Sequence, residues 1–151
     1  MTQTLETAFF NIYTKFKIQF YKRVFQRLET REASLTTTEA YSVEIINALG
    51  SPTVSEFAKF VNISVANATY KVQSLIKKGY VRKERSQEDR RESHLFVTER
   101  YYDYERMGTS YIDTVLQRIQ ESFTPQDVAL FKRMLITIND DLMPEVELHA
   151  E

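Results

Sequence analysis

Apolar residues recur at three- and four-residue steps near the N-terminus, a spacing that places them on one face of an α-helix. This stripe consists of Leu5, Phe9, Ile12, Phe16, Phe20, Val24 and Leu28. We therefore predict one long helix over residues 4–30. A lone amphipathic helix cannot bury so much apolar surface, so we expect it to pack on another helix or on another chain.

A capping box and a stop signal frame the next helix. Thr36 with Glu39 three residues later has the capping-box spacing. Gly50 followed by Pro52 is typical of the end of a helix. We predict a helix between these signals that ends at Leu49.

Two further helices are predicted directly after it. Thr53 with Glu56 repeats the capping-box spacing and begins the short helix "VSEFAKFV", which Asn62 ends. Ser64 is a good N-cap for the helix "VANATYKVQSLIKK", and Gly79 suits the end of that helix. Two helices joined by a turn of three to four residues form a helix-turn-helix.

Two strand-like segments, "YVRKERS" and "HLFVTE", predict a β-hairpin over residues 80–98. A tight hairpin turn normally uses Gly, Asn or Pro, and the polar connection between these segments contains none of them. We therefore expect a long, charged hairpin tip that extends towards a partner.

Two long helices are predicted after the hairpin. Residues 100–123 carry apolar side chains on one face, and Thr124 followed by Pro125 is typical of the start of another helix. That last helix has apolar residues at alternating three- and four-residue steps and ends before Pro144. Both helices therefore have a face that must be buried.

Together these elements predict a mainly α-helical fold with a small β-hairpin wing. We expect a single domain over residues 1–151, in which residues 32–98 form a winged helix-turn-helix. Residues 1–31 and 99–148 would form the helical parts on either side. Because these terminal helices carry more apolar surface than a domain of this size needs, we expect them to form a homodimer.

Composition excludes several kinds of protein. The chain has no cysteine, which excludes disulfides and thiolate metal sites, and its two histidines are too few for a histidine-rich metal sensor. The N-terminus lacks the residue order of a signal peptide, and no apolar run is long enough to span a membrane. We expect a soluble, cytoplasmic protein with no cofactor, no metal ion and no membrane partner.

The net charge of −1 conceals two segments of opposite charge. Residues 59–91 contain nine basic and three acidic side chains, whereas residues 103–151 contain four basic and ten acidic ones. A basic centre beside an acidic segment is typical of a surface that binds a polyanion. The alternative is that these lysines and arginines are only solvated.

Two other functions compete with nucleic-acid binding. A winged helix can instead bind protein partners, since the fold alone does not fix function. A protein-binding wing should carry exposed apolar anchors, and the charged tip disfavours that alternative. The sequence has no Gly-rich phosphate loop, no cluster of metal ligands and no nucleophile with a placed base, so we predict that the chain is not an enzyme.

The wing carries the most specific pattern in the sequence. Asp89 and Arg91 are followed, after five residues, by Val97 and Thr98. The preceding "SLIKKGYVRKERS" has a Leu, charged residues, a Gly and an aromatic residue in that order. In these features the chain resembles the MarR family of bacterial transcription regulators, over most of its length.

The resemblance implies a dimeric, DNA-binding regulator, more often a repressor, that recognises a pseudo-palindromic operator and responds to a small molecule of unknown identity. One difference from the family is Tyr101, because the family commonly has Gly three residues after the wing Thr. Several aromatic residues either line an effector pocket or belong to the core, namely Phe9, Tyr13, Phe16 and Tyr41.

The helix after Ser64 would be the recognition helix and would lie in the major groove of double-stranded DNA. Asn67 could pair with adenine, and Lys71 could donate to guanine or to a phosphate. Thr69 and Tyr70 would face outwards or sideways if Ala68, Val72 and Leu75 are buried; alternatively, both pack against neighbouring helices.

The wing would lower Arg91, helped by Arg90, into the adjacent minor groove. Asp89 would accept hydrogen bonds from Arg91 or a neighbouring arginine and fix the shape of the wing. The alternative is a solvated charge cluster with small pairing energies. The predicted DNA-binding residues are thus Ser64, Asn67, Thr69, Tyr70, Lys71, Arg85, Asp89, Arg90 and Arg91, with Lys59, Lys77 and Lys83 as further phosphate contacts.

Overall fold

The computed structural model describes residues 2–28, 35–89 and 91–148. Within these residues the chain forms six helices and one two-stranded antiparallel sheet, so the predicted helical fold with a hairpin wing is confirmed. Residues 29 and 30 of the predicted first helix lie outside the described residues. In chain order the elements are α1 (Leu5–Leu28), α2 (Thr37–Ala48), α3 (Val54–Val61), α4 (Val65–Lys77), β1 (Val81–Arg85), β2 (Ser93–Val97), α5 (Glu99–Ser122) and α6 (Pro125–Asp141).

The described chain divides into two compact units. The winged-helix unit contains α2, α3, α4, both strands, the first turn of α5 and the C-terminal residues 145–148. The helical unit contains α1, the rest of α5 and α6. All of the described residues that the sequence predicts to bind DNA belong to the winged-helix unit.

The core of the winged-helix unit is built from one apolar face of each of its elements. Ten apolar side chains in it are no more than 2% exposed, namely Val43, Ile46, Pro52, Phe57, Ala58, Ala68, Val72, Leu75, Val81 and Leu95. Burial of each large side chain contributes about 1.5–3 kcal/mol relative to exposure. The three α4 residues in this core are those that the sequence predicted to face inwards.

Local signals set the ends of the helix-turn-helix as predicted. Asn62 ends α3 in the left-handed conformation, with φ of 57°. The Ser64 hydroxyl accepts a hydrogen bond from the Asn67 amide and begins α4. At the other end Gly79 has φ of 84°, and the Tyr80 amide donates to the Leu75 carbonyl. This Schellman arrangement turns the chain sharply from α4 into the wing.

Hydrogen bonds join the two strands of the wing to each other and join β2 to the segment before α3. The strands pair from Val81 opposite Val97 to Arg85 opposite Ser93. On the outer edge of β2, the Leu95 amide donates to the carbonyl of Pro52 over 2.8 Å, in the segment that leads into α3. The stem of the wing is therefore hydrogen-bonded to the start of the helix-turn-helix.

His94 also belongs to this anchor. The backbone of His94 forms a β-bridge with Thr53, and the Nδ1 atom of its ring lies 2.9 Å from the Ser51 carbonyl oxygen. These contacts make His94 part of the base of the wing.

Tyr101 replaces the family's glycine and is part of the core. Its side chain is only 3% exposed, and its ring lies edge-on to Tyr102 with centroids 5.7 Å apart. The Tyr101 amide donates to the Thr98 carbonyl in the first turn of α5. The Thr98 hydroxyl in turn donates to the Gly79 carbonyl over 2.6 Å, which joins this junction to the end of α4.

In the helical unit, aromatic and polar contacts join α1 to α5. Phe20 packs edge-on against Tyr104, with ring centroids 5.7 Å apart. The Arg23 guanidinium donates to the Met107 carbonyl over 3.1 Å and also to the Ser110 hydroxyl. Gly108 permits this packing, because a β-carbon there would lie 2.6 Å from Cδ2 of Phe20.

Apolar surface on the terminal helices is left open by these contacts. No described side chain of α1 or α6 is buried. The large apolar residues that remain more than half exposed on these helices are Leu5, Phe9, Phe10, Ile12, Tyr13, Ile18, Phe25 and Met134. Despite this apolar surface, none of the described helices is both long and apolar enough to cross a membrane.

Candidate nucleic-acid interface

The outer face of α4 is the centre of the candidate interface. With Ala68, Val72 and Leu75 turned into the core, the opposite face presents a stripe at helical spacing. The exposed residues of this stripe and its margins are Val65, Ala66, Asn67, Tyr70, Gln73, Ile76 and Lys77. A convex helix face of this kind has the dimensions that fit a DNA major groove.

Tyr70 is the most exposed of the large apolar and aromatic residues of this face. It is 76% exposed, so the alternative that it packs against a neighbouring helix is wrong. Thr69 and Lys71 are half-buried at the sides of the helix, and the Thr69 hydroxyl donates to the Val65 carbonyl over 2.8 Å. Tyr70 therefore projects from α4, whereas Thr69 and Lys71 lie at its margins.

Ala66 and Gln73 were not among the predicted site residues, although they lie on the same exposed stripe as Tyr70. The signal that could have found them is the spacing of Ala66, Tyr70, Gln73 and Lys77, which recur at steps of four, three and four. Neither the Asn67 nor the Gln73 side-chain amide hydrogen-bonds to a described residue. Both amide groups therefore keep their donors and acceptors for another molecule.

A carboxylate on α2 fixes the position of α4. Glu39 completes the predicted capping box with Thr36 and also accepts hydrogen bonds from the Ser74 hydroxyl at 3.1 Å and from Nζ of Lys78 at 2.7 Å. Burial raises the pKa of Glu39, but the hydrogen bonds from Lys78, Thr36 and Ser74 outweigh that effect, so its pKa lies below the ordinary value. The sequence indicated the cap but gave no signal for the two long-range bonds.

Hydrogen bonds within the wing tip hold its shape. The Ser86 amide donates to the Glu92 carbonyl over 2.9 Å and closes the loop above the last strand pair. The Asp89 carboxylate accepts from the backbone amide of Arg91 over 2.9 Å, and the Asp89 carbonyl accepts from the Glu92 amide over 3.0 Å. Asp89 therefore accepts a hydrogen bond from Arg91, as predicted, and does so through the backbone amide of that residue.

The basic side chains of the wing differ in their availability. Arg85 and Arg91 are exposed, and neither guanidinium is paired with a described residue. Arg82 instead pairs with Glu84 and lies over the Phe96 ring at 4.5 Å. The predicted site residue Arg90 lies outside the described residues. The described wing thus offers Arg91 at its tip and Arg85 where the stem ends.

Other predicted phosphate contacts surround α4 on the winged-helix unit. Lys59 on α3, Lys77 at the end of α4 and Lys83 on β1 are all exposed. Lys78 differs from them because its ammonium group is held by Glu39. Among the described residues no group of three or more His, Cys, Asp and Glu side chains could hold a metal ion.

The fold and this surface define a winged helix-turn-helix of the kind used by DNA-binding regulators. Residues 35–93 match the MarR family, in agreement with the wing pattern. No curated protein sequence matches the chain. The winged-helix part of this chain is thus similar to the MarR family of transcription regulators, a family of regulators and not of enzymes, and the fold as a whole is MarR-like.

Solved structures of regulators share the fold over nearly the whole chain. FabT of Streptococcus pneumoniae in complex with DNA is 20% identical, with a TM-score of 0.60, and the match covers 91% of this chain and 94% of FabT. A mutant MepR of S. aureus is 15% identical, with a TM-score of 0.66 and coverage of 95% and 100%. A mutant MarR of E. coli complexed with operator DNA is 16% identical, with a TM-score of 0.51 and coverage of 89% and 92%.

Proposed function

We propose that this protein is a homodimeric, ligand-responsive repressor that binds a pseudo-palindromic operator in double-stranded DNA. The observation that carries the proposal is the exposed face of α4, which projects Tyr70, Asn67 and Gln73 beside a basic wing. A regulator that binds chromosomal operators would act in the bacterial cytoplasm. FabT and MarR, which share the fold, were crystallised with DNA.

In this proposal α4 occupies the major groove. Its N-terminal half contacts base edges, as recognition helices do, through Asn67, Thr69, Tyr70 and Lys71. The Ser64 hydroxyl caps the helix and faces the DNA backbone near the positive end of the helix dipole, where a phosphate binds favourably. Lys59, Lys77 and Lys83 contact phosphates and supply affinity without sequence preference.

The wing reaches the adjacent minor groove. Arg91, assisted by Arg90, enters the groove where its narrow walls concentrate negative potential. Arg85 contacts the DNA backbone at the end of the stem. Asp89 itself does not touch phosphate, because the two negative charges repel; its contribution is the hydrogen bond that fixes the position of Arg91.

A second copy of the chain covers the apolar surface of the terminal helices. Eight large apolar side chains more than half exposed on α1 and α6 exceed what a monomer normally leaves in water. A two-fold axis would present two recognition helices to successive major-groove faces, about 34–36 Å apart. That geometry explains why the operator should be a pseudo-palindrome.

Exchange of Phe131 for glutamate tests the dimer. The variant places a charge on the apolar surface of α6, where Phe131 is 41% exposed. Light scattering at micromolar concentration should give a dimer mass for the wild type and a monomer mass for Phe131→Glu. The neighbouring exposed Lys132→Glu is the matched control and should remain dimeric. A monomeric wild type would contradict the proposal.

Release from DNA is proposed to follow binding of a small molecule. An effector that favours one spacing of the two recognition helices would change DNA affinity by a coupling free energy of about 1–3 kcal/mol. Phe16 packs against Tyr111 with centroids 5.6 Å apart, whereas Phe9 and Tyr13 are exposed in the single chain. Calorimetry with phenolic acids and acyl compounds tests this; no heat would exclude these classes of effector.

The decisive experiment is a fluorescence-anisotropy titration against DNA from upstream of the protein's own gene. Binding should weaken steeply with salt, because each phosphate contact releases counterions, and should resist scrambled competitor. Arg91→Ala should weaken specific binding by about tenfold or more with unchanged folding. The contrary outcome is that scrambled DNA competes equally well with the upstream DNA and also with sequences selected from a random library. In that case the chain is instead a winged-helix module that binds protein partners.

A further inference from the structure

The recognition helix of this chain contains no arginine. Arginine is the side chain that most often identifies guanine, because its guanidinium bonds both O6 and N7 in the major groove. Neither lysine of α4 lies on the outer stripe of the first two turns, where it could recognise guanine in place of an arginine. Lys71 is half-buried at the margin, and Lys77 is the last residue of the helix.

The polar side chains that α4 does project are two amides. Asn67 lies in the first turn, and Gln73 lies two turns further on, both exposed and neither bonded to a described residue. Asn and Gln match adenine, since the amide oxygen accepts from N6 while the amide nitrogen donates to N7. The winged-helix unit therefore presents adenine-recognising groups at two points along α4.

The other exposed side chains of this face are apolar or aromatic. Val65, Ala66 and Tyr70 have surfaces that suit the 5-methyl group of thymine, which is the only apolar feature in the major groove. Val65 is 53% exposed and Tyr70 76% exposed, so both gain by covering a methyl group. Side chains that suit adenine and side chains that suit thymine thus alternate along the same helix face.

We infer that the base pairs recognised by α4 in each half of the operator are predominantly A·T, identified through adenine N6 and N7 and thymine methyl groups. This inference rests on the proposed function and makes it more specific. It concerns the major groove alone and is separate from a preference of Arg91 for a narrow minor groove, which A·T-rich DNA also favours.

Selection from a random double-stranded DNA library, followed by base-analogue substitution, tests the inference. The enriched half-sites should contain A·T pairs at the positions that α4 contacts. Replacing adenine by 7-deazaadenine removes N7, and replacing thymine by deoxyuridine removes the methyl group, without changing the minor groove. The adenine analogue at a contacted position should weaken binding by about 2- to 13-fold, because it removes one of the two hydrogen bonds of the bidentate pair.

Variants assign the contacts. In Asn67→Ala or Gln73→Ala, the 7-deazaadenine penalty should disappear at the base pair which that side chain contacts and persist elsewhere. Lys77→Ala is the matched control on the same helix; it should weaken binding to all sequences alike and leave the analogue penalties unchanged. Circular dichroism should show unchanged folding, since all three side chains are exposed.

The outcomes separate the inference from the proposed function. Enriched half-sites with G·C at the α4 positions, sensitive to 7-deazaguanine, would overturn the inference and leave the regulator intact. A·T-rich sites insensitive to both major-groove analogues would also overturn it, because the preference would then come from groove shape. A library that yields no enriched sequence would overturn the proposed function itself.

Discussion

Glu39→Gln tests how the recognition helix is held in place. The change keeps the size of the side chain and an oxygen for the Thr36 cap, but it removes the negative charge that pairs with Lys78 at 2.7 Å. Hydrogen bonds to charged groups contribute about 1.5–3 kcal/mol. The side chain of Glu39 is 11% exposed and that of Lys78 is 28% exposed, so water compensates only part of the loss. We expect about 2 kcal/mol of destabilisation.

Urea denaturation at fixed protein concentration measures this difference, because the proposed dimerisation would make apparent stability depend on concentration. The pKa of Glu39 is lowered in the folded state, so its contribution is fully present above the unfolded pKa, near 4.5, and is lost as pH falls through the folded value. The gap between wild type and Glu39→Gln should therefore be constant near neutral pH and should narrow below about pH 4.5.

Two further variants make the result specific. Glu145→Gln removes an exposed carboxylate and should change stability by less than about 0.5 kcal/mol. Combining Glu39→Gln with Lys78→Met should give less than the sum of the single effects, since the two side chains form one ion pair. A Glu39→Gln variant as stable as the wild type at pH 7, or a gap that widens on acidification, would refute this account of the network.

Two other substitutions examine close contacts in each unit. Gly108→Ala would place a β-carbon 2.6 Å from the Phe20 ring. We expect overpacking to destabilise the fold by about 1–3 kcal/mol, offset by about 1 kcal/mol from the higher helix propensity of alanine. Thermal unfolding measures the loss of stability, and adding Phe20→Leu should recover part of it. Asp89→Ala should weaken operator binding without changing stability. Asp89→Asn should retain most of the affinity, because the Arg91 backbone amide needs only a side-chain oxygen as acceptor. Equal DNA affinities of the two variants in anisotropy titrations would contradict this role.

Local signals explain why so much of the fold was predictable. Thr36, Thr53, Ser64 and Thr124 each cap the helix that the sequence assigned to them, because capping depends on residues only three positions apart. The buried face of α4 followed from helical periodicity for the same reason. The wing pattern from Asp89 to Thr98 then identified the family, which the match over residues 35–93 confirms.

Features that depend on contacts between distant residues were not predictable. Nothing near Glu39 in the sequence indicates Ser74 or Lys78, which lie on another helix. Gln73 was overlooked because the side chains chosen as base contacts lay in the first two turns of α4. The sequence indicated Arg91 as a partner of Asp89 but not which of its groups would donate; in the short loop the donor is the main-chain amide two residues away.

The anchored stem of the wing has a consequence for how such a protein can diverge. The Leu95 amide in the middle of β2 donates a hydrogen bond to the Pro52 carbonyl, in the segment before α3. Above the strands, the Ser86 amide donates to the Glu92 carbonyl and closes the loop. The described residues of the tip beyond the Ser86–Glu92 bond, residues 87–89 and 91, are exposed and make no contribution to the buried core. Mutations there can accumulate, altering the charge or reach of the tip, while the folded scaffold and its recognition helix are inherited unchanged.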